Sequence, residues 1–307
     1  MKLSIYSLVL ILVVSLAALP AAANVTPLSV LTDLEYLLYG DEQEGSLVSR
    51  VADMERHIYG DEQSGAVMVR IDRMQQYLQS TISEQGSLML RLNMAEWGFL
   101  ARINSSEPLL SRLSGMEIAL LGEEQSGPIR ERTESLMTMI WGTASLDVSP
   151  VELREESLIR IRMLTGVDSG ENELGDIVRY RVVDDVMVDG RIVIPAGLEA
   201  QGRIAEVTSA GRLGRDGRLV IDFGQLTTID GQRVPIEISE RATERNSSLE
   251  LAAGASMAGV LLLGPVGLVS GYFIRGRDVE IPATTEFYVE TSRSIRTSGL
   301  FLRPAAY

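Results

Sequence analysis

The sequence predicts an α+β chain in separate domains: an N-terminal array of short helices, then a small β-barrel or sandwich carrying an inserted apolar helical hairpin. Three observations lead there. Arginines recur at a nearly constant spacing across the first half, β-rich runs broken by Asp-Gly pairs fill the second, and the run from Leu251 to Ile274 carries no charge.

The N-terminus reads as an address. Met1-Lys2 precedes an apolar run from Leu3 to Leu19 and then Pro20-Ala21-Ala22-Ala23. A short positive start, an apolar stretch and small residues at −3 and −1 describe a secretory signal over residues 1–23, cut after Ala23. No Cys follows the cut, so lipid attachment at that point is excluded. The expected location is outside the cytoplasm, in the periplasm or associated with the outer membrane.

Residues 24–150 form an internal repeat. Gly40-Asp41-Glu42-Gln43-Glu44-Gly45 recurs as Gly60-Asp61-Glu62-Gln63-Ser64-Gly65 and as Gly122-Glu123-Glu124-Gln125-Ser126-Gly127. Arg50, Arg70, Arg91, Arg112 and Arg132 mark the period, with Leu34-Glu35, Met54-Glu55, Met74-Gln75 and Met116-Glu117 in step. Regular self-similarity of this kind is the mark of a repeat architecture. Leu47, Val48, Val51, Met54, Ile58 and Tyr59 fall at helical spacing. Each unit is therefore a helix of about three turns, ended by a Gly cap and joined by an acidic link. Helices this short are marginal alone, so the units must stack on one another or on another chain.

The acidic links invite a calcium reading, because carboxylates suit that ion. Adjacent acids lack the alternating ligand spacing of a calcium loop, so the links read as solvated capping turns. His57 stands where other units place Leu37 and Tyr77, which makes it a packing position rather than a catalyst. Nineteen acids against nine arginines between Asn24 and Pro150 leave this region at −10, most of the formal −14.

Residues 151–173 read as a charged connecting helix or linker, centred on Val151–Leu164. Residues 174–295 read as the β-domain. Ile177–Val183, Val186–Val188 and Arg191–Ile194 are strand candidates, with Asp189-Gly190 as a hairpin turn. Asp230-Gly231 within Thr227–Ile236 repeats that signal. Gln201–Thr208, Arg218–Phe223 and Val279–Glu290 supply further strands, and residues 296–307 are expected to be a tail. Asp184, Asp185 and Asp189 lie at or near a turn, where Asp is ordinary, so no glycosidase pair is assigned.

Leu251–Ile274 is long enough to span a bilayer. Gly264-Pro265 in its middle suits two short helices better than one. Gly267-x-x-x-Gly271 and Ala255-x-x-x-Gly259 provide the small-residue spacing of closely approaching membrane helices. A membrane-inserting or oligomer-facing hairpin is the first reading, with a single span and a buried soluble hairpin as alternatives. The contact residues are then Gly259, Gly264, Pro265, Gly267 and Gly271. A second candidate is the Arg/Gly loop 211–218, where Arg212, Arg215 and Arg218 could contact an anionic cell-wall polymer.

The chain has no Cys, one His, and a single Lys at position 2. Thiolate nucleophiles, Cys-type zinc sites and multi-histidine metal sites are excluded. Without the signal, so are lysine Schiff bases and P-loop lysines. A pI near 4.7 speaks against nucleic-acid binding. No catalytic residue, metal or cofactor is assigned.

The order of motifs in the second half adds a resemblance. Val193-Ile194-Pro195-Ala196-Gly197 is followed by Gly202-Arg203-Ile204, by Gly217–Ile221, by Val234-Pro235-Ile236, by the apolar segment, and by Glu280-Ile281-Pro282-Ala283-Thr284-Thr285-Glu286-Phe287-Tyr288-Val289. Over Gly175–Glu290 this resembles the β-barrel domain of the TrbI-like family, channel subunits of type IV secretion systems. The resemblance implies a barrel with a protruding helical hairpin in an envelope setting. The N-terminal apolar run reads as a cleavable signal, with an uncleaved anchor helix as the alternative, where that family keeps an inner-membrane anchor; its proline-rich linker is missing, and residues 24–150 are unlike its N-terminal region. The expected function is a non-enzymatic envelope protein that assembles with other envelope proteins or with copies of itself.

Overall fold

The computed structural model describes residues 26–80, 86–211, 215–239, 241–246 and 278–302. The signal, the apolar segment and Arg212 lie outside the described residues. The first half folds into α1 (Pro27–Tyr39), α2 (Leu47–Tyr59), α3 (Val67–Gln79), α4 (Leu88–Leu100), α5 (Leu109–Leu121) and α6 (Ile129–Trp141), each of 13 residues. Their boundaries follow from side-chain chemistry. Ser46 and Ser87 accept the N–H of Ser49 and Leu90, and Thr26 forms a reciprocal capping box with Ser29. Gly40, Gly60, Gly122 and Gly142 end their helices in the left-handed region that Gly adopts without strain.

The repeat does not stack only on its sequence neighbours. α1 packs on α3 and α5, α2 on α3 and α6, and α4 on α3, α5 and α6. Helices 1 and 2 therefore each meet the fourth helix on. A Cβ at Gly40 would lie 2.7 Å from the Pro108 ring, and one at Gly60 3.0 Å from Pro128. These translation-related closures enclose one apolar core, including Leu34, Met54, Ile71, Leu92, Leu113 and Leu136.

Buried charge holds the register of the units. Glu35, Glu55, Glu96 and Glu117 are buried, and each accepts from an arginine of the next helix: Arg50 at 2.5 Å, Arg70 at 2.6 Å, Arg112 at 2.8 Å and Arg132 at 2.6 Å. Each carboxylate also accepts a backbone N–H from the link that follows it, those of Gln43, Gln63, Asn104 and Gln125 respectively. One side chain thus ties a helix, its link and the following helix. Hydrogen bonding to Glu holds the Arg50, Arg70 and Arg132 guanidinium pKa values above the usual arginine range. The acidic links have a task here too. Glu42, Glu62 and Glu124 reach the same three arginines at 3.0, 3.5 and 3.3 Å.

The second half is a curled antiparallel sheet, a half-barrel. Its strands are β1 (Asp147–Leu153), β2 (Leu158–Met163), β3 (Val167–Asp168), β4 (Ile177–Val182), β5 (Val186–Val188), β6 (Arg191–Ile194) and β7 (Glu199–Thr208). Then come β8 (Arg218–Asp222), β9 (Gln225–Thr227), β10 (Arg233–Glu237), β11 (Glu280–Ile281), β12 (Glu286–Thr291) and β13 (Ile295–Phe301). Seven strands run in the order β8-β7-β4-β2-β12-β10-β9, four in the order β1-β13-β6-β5, and β11 pairs with β3. Tyr180, Phe223 and Phe287 form an edge-to-face aromatic core inside it.

Two expectations are corrected. The connecting helix expected over 151–173 is instead the end of β1, then β2 and β3. Ile159, Ile161 and Met163 point inward while Arg160 and Arg162 alternate outward, so the charge belongs to a sheet face. The expected tail at 296–307 begins with β13, which pairs along its whole length with β1, from Asp147↔Phe301 to Leu153↔Ile295. Its Thr, Ser and Gly content reads as a loop, and a partner at the far end of the β-region is invisible to local patterning. The Val279–Glu290 candidate is divided by a turn at 282–285 into β11 and β12.

α4 joins the two regions. Met89, Asn93 and Trp97 recur at every fourth position and make one face of the helix, which Ala101 caps. Asn93 Nδ2 donates to the Ile229 carbonyl at 2.7 Å, and Trp97 Nε1 to the Ala196 carbonyl at 2.9 Å. A Cβ at Gly231 would collide with Met89 Sδ at 2.2 Å. Asp230-Gly231 is therefore a docking loop as well as a turn. The buried Asp230 accepts from Thr228 Oγ1, Thr297 Oγ1 and Ser298 N, which fastens the loop to β13.

Candidate functional site: the anchored apolar insertion

After β10 the chain leaves the sheet, and it returns at Asp278 before β11. The uncharged segment lies between these points, outside the described residues, with all five of its contact candidates, Gly259, Gly264, Pro265, Gly267 and Gly271. What the structure does describe is how each end is held.

At the departing end, residues 241–246 are helical. Ser239 caps them, its Oγ accepting from Ala242 N and its carbonyl from Thr243 N. β10 pairs with β12 at Ile236↔Thr291 and Glu237↔Glu290. Beyond these pairs Asn246 takes the place of a strand. Its Nδ2 donates to the Tyr288 carbonyl at 3.0 Å, and its Oδ1 accepts from Tyr288 N at 2.6 Å. Asn246 is buried, and the Arg245 guanidinium lies over the Tyr288 ring at 5.5 Å.

At the returning end, Asp278 Oδ1 accepts from Ser169 Oγ at 2.9 Å and from Ala210 N at 2.7 Å. Val279 N donates to Ser169 Oγ at 2.9 Å, and Ser169 N donates to the Val279 carbonyl. Gly217 packs so closely that a Cβ would come within 2.2 Å of Ser169 Oγ. Both ends are thus bonded to the sheet and its loops, through the buried Asn246 at one and the buried Ser169 with the exposed Asp278 at the other. Sequence reasoning misses Asn246, Asp278 and Ser169. The available signal is that Asn246 and Asp278 are hydrogen-bonding residues close to either end of an uncharged run.

The Arg/Gly loop forms the floor of the returning anchor. Arg215 and Arg218 are exposed. Arg218 pairs with Glu206 at 3.1 Å across β7 and β8. Gly211 N donates to the Arg215 carbonyl, and the Ala210 amide donates to Asp278. Elsewhere, Asp184 is held by Arg160 through two hydrogen bonds of 2.7 Å, and Asp185 accepts from Ala196 N. His57 is exposed, not packed as its repeat position implies; Leu37 and Tyr77 there are half-buried. Its Nδ1 shares a 3.0 Å hydrogen bond with Tyr39 Oη, and the two rings meet edge-on. No described helix is long and apolar enough to cross a membrane.

No family model matches the chain, and no curated protein matches it. Among solved structures it is similar to ComB10 of the Com type IV secretion system of Helicobacter pylori, at 14% identity and a TM-score of 0.27, covering 50% of this chain and 93% of that one. A likeness this slight carries no functional weight.

Proposed function

We propose that the chain is an exported, non-enzymatic structural protein of the cell envelope, in which the β-region presents Leu251–Ile274 to a membrane or to neighbouring subunits. The helical repeats supply a rigid acidic body behind it. The observation that supports this reading is the double anchorage: a buried Asn on one side and an Asp–Ser pair on the other tie down an uncharged insertion at both ends. Residues held in this way fix where the chain departs from the sheet and where it rejoins it. The insertion's length and lack of charge suit hydrocarbon or a subunit interface. The order of motifs that resembles the TrbI-like barrel domain agrees with a secretion-channel-like version of the role, with Gly259, Gly264, Pro265, Gly267 and Gly271 at the contact.

Fractionation after replacing Leu251–Ile274 with a Gly/Ser linker of equal length tests it. The intact chain should sediment with membranes or with an envelope complex, and the linker variant should move to the soluble fraction with its circular dichroism retained. An intact chain that is soluble without the segment's help, and unchanged by its replacement, would sink the reading.

A further inference from the structure

The repeat offers two faces that fit each other and that meet only in part within one chain. The first lies two positions before the marker arginine of a unit, at Val48, Met68, Met89 and Leu110, and at Leu28 in the first unit, where Val30 stands in the arginine's place. Met89 is partly buried against Gly231, and Leu110 sits half-buried beside the end of α2 with His57, Gly60 and Pro128. Leu28, Val48 and Met68 keep 49%, 54% and 45% of their surface exposed. In the sixth unit the position is Arg130.

The second face is the C-terminal end of a helix. Gly40 and Gly60, ending α1 and α2, are closed over by Pro108 and Pro128, which precede α5 and α6. The equivalent caps of α5 and α6, Gly122 and Gly142, have no neighbour among the described residues within 4 Å of a built Cβ. Leu121 and Met139 beside them are 41% and 51% exposed. Their counterparts around the covered caps, Tyr39, Tyr59 and Leu37, are half-buried, and only His57 stays exposed. The array thus begins with uncovered apolar entry residues and finishes with uncovered caps. Within the chain the starts of α5 and α6 cover such ends: Pro108 lies on Gly40, Pro128 on Gly60, and Leu110 lines the same cleft as His57 and Gly60.

We propose that a second copy of this chain continues the array, its α1–α3 entry face (Leu28, Val48, Met68) docking on the α5–α6 end (Leu121, Gly122, Met139, Gly142). The internal α1·α5 and α2·α6 packing is the template for the contact. Such an interface is heterologous, so it builds head-to-tail rows or a ring rather than a closed two-fold dimer. The repeat's −10 charge opposes the approach, so added salt strengthens it by screening. This inference is independent of what Leu251–Ile274 contacts.

Sedimentation velocity on the full chain in mild detergent tests it, with Val48→Asp damaging one face and Leu121→Asp the other. Both residues are exposed, and unchanged thermal melts confirm that the variants fold. The wild type should form a concentration-dependent series of species that grows with salt, and each variant alone should associate about tenfold more weakly or worse. An equimolar mixture of the two variants should recover dimers but nothing larger, because only one good head meets one good tail. Replacing Leu251–Ile274 with a Gly/Ser linker should leave the series in place. A wild type that stays monomeric to about 100 μM, a marginal affinity for a standard interface, overturns the inference. So does a mixture no better than its components, or a series that vanishes with the apolar segment and ignores Val48→Asp.

Discussion

The helical and β-regions both use arginine–carboxylate pairs, in opposite ways. In the repeat, Glu35–Arg50, Glu55–Arg70, Glu96–Arg112 and Glu117–Arg132 lie inside, with side-chain exposures of 9% or less. On the sheet, Arg160–Asp184, Arg162–Glu286, Arg181–Glu199 and Arg203–Asp222 lie on the outer face. A buried pair with its remaining oxygens filled by backbone amides fixes geometry, because losing either partner strands a charge. An exposed pair competes with water and salt and fixes little. The short helices need such a device, since a few turns with one apolar stripe do not hold their own register. The strands have a ladder that sets register already.

The sharpest way to break that contrast is Glu55→Ala. It leaves Arg70 buried with only the exposed Glu62 in reach and removes the acceptor for Gln63 N, so about 3–5 kcal/mol of stability should go. A urea titration followed by far-ultraviolet circular dichroism reads it, and a loss below about 1 kcal/mol, the level of an exposed pair, would erase the distinction between the regions. Asp230→Ala comes next. Thr297 Oγ1 and Ser298 N lose this acceptor in a buried site, and Thr228 Oγ1 keeps only the Gln232 carbonyl at 3.3 Å. At about 1–3 kcal/mol for a stranded buried group, the loss should fall in the upper part of that range. The loop that meets α4 should loosen with it. Hydrogen exchange at Ile229 and Ser298 should accelerate together, and protection that survives at Ser298 would show that Asp230 does not fasten the loop.

Legibility follows the same divide. Helix ends, links and the repeat period are visible in the sequence because each is local: a Gly, a Ser cap, an Arg. The Glu–Arg pairs are visible in principle, since Glu35 and Glu55 precede Arg50 and Arg70 by the same separation, but periodicity alone does not say that two marked positions touch. α4 obscures its unit because a helix covered on one side by α5 and α6 and on the other by the β-region has little polar face left. β1 and β13 escape local reading because their pairing spans the whole second half. The arginines of β2 imitate a charged helix until the alternation of Ile159, Ile161 and Met163 is weighed. At the candidate site, the uncharged run is plain. Its anchors are not, because one Asn and one Asp are ordinary until Tyr288, Ser169 and Ala210 stand beside them.

On the sheet, Arg162→Ala should cost at most about 1 kcal/mol, the usual range for an exposed pair. Arg162 and Glu286 face each other across β2 and β12 in register, so the strands stay paired without their charge. Raising the salt concentration should shrink the effect further. A loss above about 2 kcal/mol, larger than exposed pairs give, would mean that the outer face is not merely solvated.

The smallest effect is expected where the repeat breaks its own rule. Gln75 stands in α3 at the position of the buried glutamates, as far before Arg91 as Glu96 stands before Arg112. Copying the repeat with Gln75→Glu would restore the written pattern. The structure gives a reason why it would not restore the interaction. Gln75 is exposed, and Arg91 Nη1 already donates to the Ala144 carbonyl at 2.8 Å. Burial pulls the Arg91 pKa below its usual range, in the opposite direction from Arg50, Arg70 and Arg132. A carboxylate at 75 would remain in water, so the unfolding free energy should change by no more than about 0.5 kcal/mol. A gain above about 2 kcal/mol, beyond what an exposed pair supplies, would require α3 to turn and bury position 75. That would make the pair, rather than the apolar stripe, the feature that orients each helix.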